Sequence, residues 1–97
     1  ITMEIQMETQ IKVTQLTNDN NNPVANHFVI HQGGIEYLQS YNSIVVKREG
    51  NKVTLGQDWD YSPTTLKHVK YYLGIYDSVK TMRKDLAYGR YTYDTSL

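Results

Sequence analysis

The chain contains no cysteine, two prolines, one phenylalanine and one tryptophan among its 97 residues. Without thiols it can have no disulfide framework, no thiolate zinc site and no cysteine nucleophile, which fits a reducing compartment. An excess of either charge is also lacking: ten Lys and Arg balance ten Asp and Glu. That balance argues against a highly acidic nucleic-acid mimic and against a uniformly basic nucleic-acid binder. No apolar run approaches the roughly 18 residues that a bilayer crossing needs, and no secretory signal is legible. The expectation is a cytoplasmic protein with no membrane partner. A chain of this length makes one domain. At 39% hydrophobic and 21% charged residues it lies far from the composition of disordered chains. Tyrosine is abundant, with nine residues, and offers large contact area at little entropic cost.

Residues 1–97 are read as a single domain with a tail over 1–9, in which Ile1 and Thr2 look like an expression remnant ahead of Met3. From Gln10, the rough alternation of Ile11, Val13 and Leu16 predicts a half-buried strand. The run Asn18–Pro23 predicts a loop, because short polar side chains compete for the backbone. A second strand follows over His27–His31 and ends at Gly33-Gly34, a pair suited to positive φ. The stretch Ile35–Lys47 predicts a third strand with a bulge or bend near Tyr41-Asn42. Arg48-Glu49-Gly50-Asn51 then connects to a strand at Lys52–Leu55.

After Gly56 the spacing changes. Ser62-Pro63 offers an N-cap and a first-turn proline ahead of Leu66, Val69 and Leu73, so a helix is expected over about 63–73, ended by Gly74. Val79, Met82 and Leu86 predict a second helix over about 78–88, and Tyr91-Thr92-Tyr93 a short final strand. The expected fold is α+β: an antiparallel sheet of four to five strands, two C-terminal helices on one face, and a short final strand. Trp59, Tyr61 and Ser62 are the expected anchors that seat the first helix, with both aromatics buried.

Chemistry-bearing patterns are few. Asp58 and Asp60 form a carboxylate pair suited to acid–base work or a hard cation, yet they stand just before a helix N-terminus, where negative charge is favourable anyway. His27 and His31 are about 13 Å apart on one strand face, too wide for one metal ion, and His68 is distant in sequence. No phosphate loop and no G-x-S-x-G elbow is present. The expectation is a protein that is not an enzyme and holds no metal or cofactor. Charge is unevenly spread: residues 62–90 carry six basic residues against two acidic ones. Lys67, Lys70 and Tyr71 on the first helix and Lys80, Arg83 and Lys84 on the second point away from the apolar stripes. They are the candidate binding residues for an acidic protein or for phosphate backbones, and the same charges also suit a solvated face. Leu73-Gly74-Ile75 is similar to the turn of a helix–turn–helix, but Lys70 stands where that motif needs a small residue and Val79 comes one place early.

Tyr37-Leu38-Gln39-Ser40-Tyr41-Asn42-Ser43-Ile44, Trp59-Asp60-Tyr61-Ser62-Pro63-Thr64-Thr65-Leu66-Lys67, Tyr72-Leu73-Gly74 and the closing Gly89 together resemble a family of small proteins of unknown function found mostly in phages, archaeal viruses and mobile elements. The resemblance covers Ile35 onward, so residues 1–34 read as an addition. It implies a viral setting in a host cytoplasm and supplies no catalytic residues. By analogy, small domains in that setting often act by occupying a host protein. The leading expectation is a phage-encoded binding protein that inhibits a host defence system, as anti-CRISPR proteins do, by contact with a host protein. The alternative is a small DNA- or RNA-binding accessory protein using the basic helices.

Overall fold

The computed structural model describes residues 10–97. Five antiparallel strands follow one another: β1 (Ile11–Thr17), β2 (Pro23–Gln32), β3 (Ile35–Ser40), β4 (Ser43–Glu49) and β5 (Lys52–Gly56). Helices α1 (Pro63–Leu73) and α2 (Val79–Ala87) then lead to β6 (Thr92–Asp94), which joins the sheet parallel to β5. A parallel neighbour needs a long crossover, and the two helices supply it.

The sheet has six strands, more than the four to five expected, because the stretch over Ile35–Lys47 is two strands. Ser40 pairs with Ser43, so Tyr41-Asn42 is a two-residue hairpin loop with Tyr41 at φ 54°. The bend expected there is a full reversal. A bulge lies just beyond it: Gln39 faces Ile44 and Leu38 faces Val46, leaving Val45 as the extra residue. The adjacent Val45 and Val46 are thereby both fully buried. At the tip of the preceding hairpin, between β2 and β3, Gly33-Gly34 adopts φ 56° and 81°, as its sequence predicts.

One face of the sheet carries the core. Leu38, Val46 and Leu55 lie in register across β3–β5 and are closed over by Val69 of α1 and Met82 of α2. Burying such aliphatic side chains contributes roughly 1.5–3 kcal/mol each. The caps follow the sequence: the Ser62 hydroxyl accepts from the Thr65 amide at 3.1 Å, Gly74 at φ 70° ends α1, and Ser78 caps α2. Gly56 lies where β5 crosses β4 closely, and a Cβ there would run into the Ile44 carbonyl oxygen.

Candidate functional site

Trp59 is 3% exposed and sits in the core cluster, as expected of an anchor. Tyr61 is not one: it is 80% exposed. A turn closed by the Tyr61 amide on the Asp58 carbonyl separates it from Trp59. Trp59 fills the junction with the core, and Tyr61 turns to solvent.

Behind that turn lies a buried polar chain that begins at the α1 N-terminus. The Ser62 hydroxyl donates to Thr65 Oγ1, the Thr65 and Ser40 hydroxyls are 3.1 Å apart, and Ser40 Oγ lies 2.9 Å from His27 Nε2. His27 Nδ1 lies 2.8 Å from the Ala25 carbonyl. A carbonyl only accepts, so Nδ1 carries the proton and Nε2 accepts from Ser40. A serine bound to a histidine is the geometry of an activated nucleophile. Here, however, the Ser40 hydroxyl is engaged on both sides and the residue is 4% exposed. The arrangement ties α1 to β2 and β3. His68, one α1 turn beyond Thr65, lays its ring 4.3 Å from that of His27. Burial, reinforced by His27 and Lys67, holds its pKa below the ordinary value.

An open cleft of about 330 Å³ adjoins this chain, with Asn42, Asp58 and Tyr61 on its walls. The two longest segments of the family resemblance, around Ser40–Ser43 and Trp59–Thr65, meet there. Asp58 accepts from Ser43 at 3.0 Å, and Asp60 pairs with Arg83 at 2.8 Å. The two carboxylates therefore have separate partners. His31 stands 3.5 Å from Glu36, apart from the buried pair. Among the described residues no cluster of three or more potential ligands surrounds a metal position.

Three of the six candidate binding residues line one groove. Lys67, Lys70 and Tyr71 meet in an apolar groove of about 260 Å³ along α1, completed by Pro63, Leu66, Ile75 and Tyr76. Lys70 and Tyr71, expected on the outward face, are half-buried. Tyr76, part of the same lining, is 84% exposed. Lys80 and Lys84 lie exposed on α2 away from this groove, and Arg83 is occupied by Asp60. Sequence periodicity marked the outward faces; it could not show that Ile75 and Tyr76, in the connection after α1, fold back to close a groove.

A family model matches residues 11–88, from β1 to the end of α2. The chain belongs to DUF8033, a family of unknown function. The DUF8033 match corrects the expectation that residues 1–34 are an addition: β1 and β2 are part of the matched unit, whereas β6 lies beyond it. No curated protein and no solved structure matches the chain. No helix among the described residues is long and apolar enough to cross a membrane.

Proposed function

We propose that this DUF8033 protein is a binding protein that acts by direct contact with another protein, received in the α1 groove. In the viral setting that the motif resemblance implies, the protein is phage-encoded and the partner is a host defence or nucleic-acid-processing machine. The groove carries the reading: its lining is mostly apolar and holds Tyr71 and Tyr76 together with Lys67 and Lys70. An apolar segment bearing carboxylates is its chemical complement, since the apolar part gains burial and the acids meet the lysines. Phosphate backbones fit it less well, because they want an array of free cations, and Arg83 is already paired. Lys80 and Lys84 on α2, which have no ion-pair partner among the described residues, favour the second reading, a DNA- or RNA-binding accessory protein.

The test is affinity capture from host lysate, with and without nuclease, by the wild-type chain, by Lys67→Glu/Lys70→Glu and by Tyr76→Ala. A specific protein that resists nuclease and is lost with both variants supports the proposal. Bulk nucleic acid that is released by moderate salt, and lost on Lys80→Glu/Lys84→Glu, supports the second reading instead.

A further inference from the structure

On the sheet face away from the helices, β1–β3 present Ile11, Val13, Phe28, Ile30, Ile35 and Tyr37, interspersed with Gln15, Gln32 and Gln39. Register places Val13, Ile30 and Tyr37 in one transverse row that Lys47 continues, and Phe28 and Ile44 in the next on either side of Gln39, with none of these five apolar residues packed against the core. Ile11 and Val13 on the edge strand are 58% and 56% exposed. An antiparallel sheet with one solvated face alternates polar with apolar residues along each strand. Phe28-Val29-Ile30 and Ile44-Val45-Val46 are instead continuous apolar runs, the pattern of strands buried on both faces. The helices bury one face; among the described residues no helix or strand covers the other.

We infer that a second copy of this chain covers that face, the two sheets packing face to face about a two-fold axis. Charge placement suits self-association. Over β1–β3 the face carries no charged side chain, and Lys47, Glu49 and Lys52 gather on its β4–β5 flank. Two copies can therefore set apolar half on apolar half, as an isologous interface requires, with a rim of mixed sign. Three strands about 4.8 Å apart and roughly 20 Å long give that uncharged half a flat footprint of about 300 Å², the centre of an interface whose rim the charged flank supplies.

The inference is independent of the α1 groove, which lies on the helical side. Sedimentation of the full chain over a concentration series tests it. The expected result is a reversible dimer at twice the monomer mass, whose Kd rises at least about tenfold in Val13→Lys and in Ile30→Lys and is unmoved by Tyr76→Ala. Val13 is more than half exposed at the sheet edge, so Val13→Lys leaves the monomer folded, which circular dichroism checks. A monomer at every soluble concentration overturns the inference, as does a dimer indifferent to Val13→Lys.

Discussion

The hydroxyls of Ser40 and Thr65, 25 positions apart, lie 3.1 Å from each other between β3 and the first turn of α1. They are the joint through which the helix that carries the proposed groove is fixed to the sheet. Replacing Thr65 by Val keeps the shape and removes the hydroxyl, leaving Ser40 short of a partner in a buried site. The expected cost is about 1–3 kcal/mol, measured by urea denaturation. Ser62→Ala, which removes the cap, is expected to cost about 1 kcal/mol.

Trp59 and Tyr61 are two residues apart and should behave as opposites. Trp59→Ala opens a cavity in the core and is expected to cost about 3–5 kcal/mol, enough to unfold much of a small domain. Tyr61→Ala, at an 80% exposed position, is expected to stay within about 0.5 kcal/mol. Thermal melts of the two variants compare them directly.

Stability should fall in mild acid because of His68. Its folded-state pKa is held below 6.5, mainly by burial and then by His27 and Lys67. The unfolded chain therefore binds more protons in the window below 6.5, and stability drops as pH falls from about 6.5 to the lower folded value. His68→Asn should flatten the melting temperature across that window. An unchanged slope would remove His68 as the cause.

At Gly56, any side chain meets backbone. Gly56→Ala forces the Ile44 carbonyl to move, and the expected loss is about 1–3 kcal/mol. Gly74→Ala meets open space but must hold φ 70°, at a cost of about 1 kcal/mol. Chemical denaturation of both variants ranks the two effects.

Legibility in the sequence followed the range of the interactions. Ser62-Pro63, Gly74 and Gly33-Gly34 act within a few residues, and each does what its chemistry indicates. Tyr41 hid a hairpin because tyrosine has no preference for the left-handed region that this turn imposes. Tyr61 was misplaced because a buried aromatic and an exposed one look alike in a sequence when the turn between them is not visible. The pairing of β6 with β5, and of His68 with His27, depends on where α1 and α2 bring the chain back. The same limit hid the groove: Lys67, Lys70 and Tyr71 were legible as an outward face, but its closure by Ile75 and Tyr76 is a tertiary effect.

The most direct test of the binding account is a photo-crosslinking residue that keeps an aromatic ring, placed at position 76, where Tyr76 lines the groove and is 84% exposed. The account predicts a crosslink to one protein partner, unaffected by nuclease and abolished by Lys67→Glu/Lys70→Glu in the same chain. Crosslinks to nucleic acid, or protein crosslinks that persist after both lysines are reversed, would contradict it.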